Sequence, residues 1–335
     1  MCTSPVTIRY SNIHTLVNGF RSIQVPCGKC MECRKRYQND WCVRFAEEFR
    51  SVGYVGVFVT LTYRNESVPT VYDKETGAAY YSVCKKHVQN AIKRFRTSYF
   101  RANGKSAVFR YFVTSEYGPR TCRPHYHAIF FGLRKADVLP FLEDWFDRYG
   151  FYKADDVKGD PNAVGRYVAK YCSKGVFECP YVAAGFVAPT FHLMSKGLGR
   201  SFVERPDVIR YYCCWTPSRK YKYKDGAKVV YSDEFLNFVG FELRCHVSGI
   251  LYSMPRYYRA KLYGSQTDLS RQVADYVFRR NCDILDNECR KVQAERHCSY
   301  GEALYHINCE KDREMAFREK TAKCSFERFL DRSKL

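Results

Sequence analysis

Ten consecutive residues from Tyr54 to Tyr63, YVGVFVTLTY, carry no charge and are rich in β-branched and aromatic side chains. Such a run suits a strand buried on both faces, so it has to lie inside a sheet that other elements cover. Two more strand-like stretches follow, Ala107–Glu116 (AVFRYFVTSE) and Pro124–Phe131 (PHYHAIFF), joined by a turn containing Gly118 and Pro119. Between the first two, Ser82 suits the N-cap of a helix reaching about Phe100, with Val88, Ile92, Phe95 and Tyr99 on its inner face. A helix around Asp137 to Tyr149 is expected to bury Leu139, Leu142, Trp145 and Phe146, and a short strand from Phe151 to Val157 closes the set. The order β-α-β-β-α-β implies an α+β domain of the split βαβ, ferredoxin-like type. Its antiparallel sheet would carry helices on one face and leave the other free for a site.

Upstream, residues 31–50 read as a helix, because Trp41, Phe45 and Phe49 recur at i, i+4 and i+8 while Arg34, Lys35, Arg36, Glu47 and Glu48 mark wet positions. Gly53 is a plausible stop. The expected organisation is a Cys-containing extension with a helix (1–53), a core (54–205) and a C-terminal region (206–335) with a basic hairpin followed mainly by helix. Hydrophobic residues at 46% rule against a disordered chain. With 55 Lys and Arg against 35 Asp and Glu, the net charge of +20 attracts phosphates, which points to nucleic acid. No apolar run approaches the roughly 18 residues of a membrane span. The N-terminus has no signal-like pattern, so export is not indicated, and the 17 cysteines fit reduced thiols in a cytosol-like compartment.

Residues 160–175 form a bounded helix by their own signals: Asp160 suits the N-cap, Pro161 the first helical position and Gly175 the stop. Tyr167, Lys170, Tyr171 and Lys174 fall at i, i+3, i+4 and i+7, within one stripe, and Val164, Val168 and Cys172 form an apolar stripe beside it. On a strand, His125 and His127 point to the same face, where two imidazoles can hold one divalent metal with Glu116 as third ligand. Each pattern alone also fits a bland reading, an amphipathic surface helix or packed histidines. Together they suggest phosphodiester chemistry, because a phenol with a pKa near 10 needs a metal or cation to become a nucleophile. Lys170 and Lys174 would supply fixed positive charge to the phosphate.

Glu116, the His125 and His127 pair and the doubled Tyr-x-x-Lys resemble the His-hydrophobe-His (HUH) endonucleases. With VPCGKCMECRKRYQNDWCVR, FVTLTY, EYGPRTCRPHYHAIFFG and MSKGLGRSF, residues 25–205 resemble the gokushovirus-type replication initiation proteins of microviruses. The resemblance implies nicking of single-stranded origin DNA, a 5′-phosphotyrosine intermediate and later rejoining to release circular genomes, with Mg²⁺ or Mn²⁺ as cofactor. It assigns Glu116, His125 and His127 to the metal and Tyr167 and Tyr171 to the nucleophiles, with Thr60–Tyr63 as a structural strand beside them. Tyr126 stands between the histidines where many members carry an aliphatic residue, but it faces the opposite side of the sheet. The setting implied is the bacterial host cytoplasm.

Cys27, Cys30 and Cys33 can wrap sulfurs around one ion, a candidate structural zinc site with Cys42 or Cys2 as fourth ligand. Packed, reduced cysteines remain the alternative. In SRKYKYKDGAK, Arg219, Lys220, Lys222 and Lys224 interleave with Tyr221 and Tyr223, a pattern for phosphate contacts and base stacking on single-stranded DNA, or for a solvated hairpin. Gly104-Lys105-Ser106 lacks the earlier glycine of a phosphate-binding loop, since position 99 is Tyr99, so a host helicase and host replication proteins are expected as partners. The competing readings are a non-catalytic, zinc-stabilised nucleic-acid-binding protein and an HUH transposase or relaxase.

Overall fold

The computed structural model describes residues 6–9, 22–104, 109–118, 120–158, 163, 166, 169, 179–225, 228–247, 249–264 and 267–332. In chain order the elements that position the site are β1 (Val6–Arg9), β2 (Ser22–Val25), α1 (Met31–Ser51), β3 (Gly56–Tyr63), β4 (Thr70–Tyr72), β5 (Ala79–Tyr81), α2 (Lys85–Asn103), β6 (Arg110–Tyr117), β7 (Pro124–Phe131), α3 (Leu139–Arg148), β8 (Gly150–Asp156) and β9 (His192–Met194). The protein is α+β. It divides into two compact units, one of residues 37–205 and 246–255, the other of residues 1–36, 206–245 and 256–335.

The first of these units is built on a five-stranded sheet in the order β8-β3-β7-β6-β9, every neighbouring pair antiparallel. The expected β-α-β-β-α-β succession is present as β3, α2, β6, β7, α3 and β8, with the small β4–β5 hairpin inserted after β3. Side chains alternate along each strand, so β3 buries Val57, Val59, Leu61 and Tyr63 and leaves Phe58, Thr60 and Thr62 half-buried on the other side. The strand is therefore two-faced, and it starts two residues later than the uncharged run: Tyr54 is in a turn at φ +63°.

One face of the sheet packs on α2 and α3. Val57, Val59, Leu61, Val113, Tyr126, Ala128 and Phe130 meet Val88, Ile92 and Phe95 of α2 and Phe141, Leu142 and Trp145 of α3. Two expectations for α3 change here, since Leu139 is 39% and Phe146 49% exposed. A 3₁₀ turn, Lys135–Val138, precedes the helix and phases it so that Val138, Phe141, Leu142 and Trp145, at i, i+3, i+4 and i+7, face inward. Helix α2 starts at Lys85 and not at Ser82, because the Ser82 hydroxyl accepts the Ala188 N–H (3.1 Å).

The opposite face is not bare. Trp41, Phe45 and Phe49 of α1 pack there on Phe112, Ile129 and Phe131, together with Ala169 and Leu198. Glu47 and Glu48, read from the sequence as wet, are buried instead. Glu48 accepts from Arg110 Nη1 (2.9 and 3.0 Å) and the Gly199 N–H (2.7 Å), and Glu47 accepts from Arg50, Arg205 and Ser201. A carboxylate leaves water at tolerable cost when charge partners and backbone donors replace its hydration, as they do here.

In the second unit β1 pairs with β2, and Tyr221–Asp225 pairs with Lys228–Tyr231 in a basic hairpin. Helices Thr267–Arg296 and Tyr300–Arg332 pack through Cys289, Ala303 and Ile307. Among the described residues no helix is long and apolar enough to cross a membrane.

Candidate active site

Helix α1 covers only one end of its sheet face. Beyond Phe112, Ile129 and Phe131 the same alternation brings up polar side chains: Thr114 opposite His127, Glu116 opposite His125, and Thr60 and Thr62 opposite His127 and His125 from β3. The His127 Nε2 lies 3.1 Å from Glu116 Oε2, and both side chains are about nine-tenths buried. The other ring nitrogen, Nδ1, lies 3.2 Å from Thr60 Oγ1, and the Phe58 ring lies parallel to the imidazole. Burial depresses the His125 pKa, outweighing the pull of the Glu116 charge, so this imidazole stays neutral and able to donate a lone pair.

Strand β7 is held in place from behind. Tyr126, between the two histidines, is fully buried on the helical face, where its hydroxyl accepts the Cys84 N–H (2.8 Å) and meets the Tyr63 hydroxyl (3.0 Å). The Tyr63 hydroxyl in turn meets His87 Nδ1 (3.0 Å), so β3, β7 and the start of α2 share one buried network.

The donor set suits a hard divalent ion. Two cis ligands of an octahedral ion with bonds of about 2.1 Å stand about 3 Å apart, which matches the separation of His127 Nε2 and Glu116 Oε2. His125 supplies a second imidazole on the same face, and a site with three protein ligands leaves positions for substrate oxygens.

Tyr167, Lys170, Tyr171 and Lys174 lie outside the described residues, as do the cap and stop residues Asp160, Pro161 and Gly175 and the apolar stripe Val164, Val168 and Cys172. Three residues of that segment are described: Ala163, Arg166 and Ala169, all helical. Ala169 is fully buried in the cluster of Trp41, Phe45, Phe112 and Ile129, on the sheet face that carries His125 and His127.

The thiols of Cys27, Cys30 and Cys33 lie within 4.8 Å of one another. The Lys29 and Cys30 N–H groups point at Cys27 Sγ (3.4 and 3.2 Å), an arrangement that favours thiolate. At the start of α1, the Met31 N–H donates to Glu319 Oε1 and Oε2 (3.2 and 3.3 Å). Cys42 does not join this group. It sits nine residues beyond Cys33 on α1, about 13 Å by helical rise, packed in the aromatic cluster with its thiol pushed up to about 12 by burial. Cys2 lies outside the described residues.

In the basic hairpin Arg219 pairs with Glu234 and lies over the Trp215 ring, and the Lys220 ammonium lies over the Tyr221 and Phe235 rings. Lys222 and Tyr223 are exposed, while the Lys224 side chain lies outside the described set. One residue near the site gave no sequence signal. His192 of β9 stands opposite Thr114, stacks on Phe112 and, by burial alone, titrates at about 4.

Residues 56–176 match the family of phage replication-associated proteins typified by ORF2. The chain is 30% identical over 199 residues to replication-associated protein ORF2 of Spiroplasma virus 4, covering 55% of this chain and 59% of that protein. It is 30% identical over 119 residues to replication-associated protein VP4 of Bdellovibrio phage phiMH2K, covering 35% and 34%. With replication-associated protein ORF4 of Chlamydia phage 1 it shares 28% identity over 296 residues, covering 85% and 65%. The matches thus span less than two thirds of each relative's length. No solved structure matches the chain. The resemblance to microvirus-type replication initiators is borne out by these relatives.

Proposed function

Given this kinship with phage replication-associated proteins, we propose that the chain is a rolling-circle replication initiator of HUH type, nicking single-stranded origin DNA by tyrosine attack and later rejoining the ends. The observation that carries the reading is the convergence of Glu116 and His127 at 3.1 Å, beside His125, on the sheet face where Ala169 of the tyrosine segment is buried. The strand order β8-β3-β7-β6 supports a ferredoxin-like core, with β9 added at its edge.

In this reading Glu116, His125 and His127 hold Mg²⁺ or Mn²⁺. When bound, the ion supplies Lewis acidity to a phosphoryl oxygen and eases loss of the phenolic proton. Tyr167 or Tyr171 attacks phosphorus through its phenolic oxygen. The new P–O bond is to tyrosine, the P–O3′ bond breaks, and the 3′ oxygen leaves with a proton as a free 3′-OH. Lys170 and Lys174 offset the charge on the pentavalent phosphate. The first tyrosine stays esterified to the 5′ end while the second attacks the regenerated origin, and reversal of the first step against a 3′-OH rejoins the strand.

Lys222 and Tyr223, with Arg219, Lys220, Tyr221 and Lys224 around them, suit a single strand through phosphate contacts and base stacking. The Cys27, Cys30 and Cys33 group suits a structural zinc with a fourth ligand from elsewhere. A host helicase and host replication proteins in the bacterial cytoplasm complete the proposed setting. The test is cleavage of a labelled single-stranded origin fragment by the full chain: with Mn²⁺ a product with a free 3′-OH appears, and with EDTA none does. Cleavage unaffected by EDTA would remove the metal from the reading, and binding without cleavage would favour a non-catalytic nucleic-acid-binding protein.

A further inference from the structure

We infer that Thr60 and the Gly118–Arg123 turn form a positioning shell that fixes both imidazoles with Nδ1 protonated and Nε2 free to donate. The inference rests on the reading of Glu116, His125 and His127 as metal ligands. The two histidines share a strand, but each is held by a different neighbour.

For His127 the neighbour is β3. Thr60 stands directly opposite it in the register and brings Oγ1 to 3.2 Å from Nδ1, while Nε2 faces Glu116 Oε2 at 3.1 Å. When Nε2 keeps its lone pair for an ion, Nδ1 carries the proton and donates it to the Thr60 hydroxyl. The ring has no rotational slack, because Phe58 lies against it at an interplanar angle of 5°. A hydroxyl that accepts from a ligating imidazole sets its tautomer and orientation and raises its basicity.

For His125 the neighbour is the turn before β7. The ring is hydrogen-bonded to the Arg123 backbone, and the Arg123 carbonyl also accepts the Gly118 N–H (2.9 Å). A Cβ built on Gly118 would lie 3.2 Å from His125 Cε1, 3.6 Å from its Nδ1 and 3.5 Å from the Arg123 oxygen. The Nδ1 edge of the ring therefore faces the turn, and Nε2 points away from it. Gly118 is not among the glycines at positive φ, so its backbone would accept a side chain. Its place is taken up by the edge of the imidazole.

The experiment compares Mn²⁺ affinity, by calorimetry or by electron paramagnetic resonance of the free ion, for the full-length wild type and for Thr60→Val, Thr60→Ser, Gly118→Ala and His127→Ala. Circular dichroism of each variant verifies folding. Thr60→Val keeps the shape and removes the acceptor, so its affinity should fall about 10–100-fold while Thr60→Ser stays close to wild type. Gly118→Ala should also weaken binding, by displacing the His125 ring. Equal affinity in wild type and Thr60→Val, or equal losses in Thr60→Val and Thr60→Ser, would overturn the inference. A His127→Ala variant that binds Mn²⁺ like wild type would instead overturn the metal-site reading beneath it.

Discussion

Glu116 and His127 meet on the diagonal of the β6–β7 ladder: Glu116 stands opposite His125 and His127 opposite Thr114, yet the carboxylate and imidazole are 3.1 Å apart. The diagonal contact leaves the directly opposed His125 beside them, so three donors share one face. Glu116→Gln keeps the size and removes the charge. Its Mn²⁺ affinity should fall at least about tenfold and nicking should fall with it, checked by titration at constant pH. Wild-type affinity in the variant would exclude the carboxylate as a ligand.

Glu48 is the buried anchor of the strap after β9. Glu48→Ala leaves the Gly199 N–H and Arg110 without their acceptor. Because Arg110 keeps partial access to water, the expected loss is about 2–3 kcal/mol, or roughly 5–10 °C in melting temperature. Thermal melts followed by circular dichroism measure it, and an unchanged melting temperature would contradict this role.

His192 gives the fold an acid-sensitive point. Its pKa of about 4 when folded lies below the ordinary histidine value of 6.5. Between these values the unfolded chain binds more protons, so stability rises with pH across the window and is lost as pH falls from about 6.5 towards 4. The contribution is up to about 3 kcal/mol. His192→Phe should keep the stacking on Phe112 and flatten this part of the profile, measured by urea denaturation at several pH values. An identical slope in the variant would place the acid sensitivity elsewhere.

Much of the sheet was legible in the sequence, because β3, β6 and β7 are runs whose uncharged or alternating character fits nothing else. The common face of His125 and His127 follows from the two-residue period alone. What α1 packs against was not legible: the stripe of Trp41, Phe45 and Phe49 says that a face is buried, not which surface buries it. The burial of Glu47 and Glu48 was hidden for a related reason, since Arg110, Gly199, Ser201 and Arg205 come from distant stretches of chain. Thr60 gave no sign of its contact with His127, because a hydroxyl's partner depends on strand register. The apolar run after the 3₁₀ turn at Lys135 misled by one helical step, exposing Leu139 and Phe146 where Phe141 goes inside.

The central claim is that Tyr167 and Tyr171 are the nucleophiles, and covalent capture tests it most directly. Full-length wild type, Tyr167→Phe, Tyr171→Phe and the double variant are incubated with a 5′-extended single-stranded origin fragment and Mn²⁺, denatured, and the linked peptide is identified by mass spectrometry. The expected result is an adduct on Tyr167 or Tyr171 in wild type and in at least one single variant, and none in the double variant. An adduct that persists in the double variant, or one on another residue, would contradict the claim.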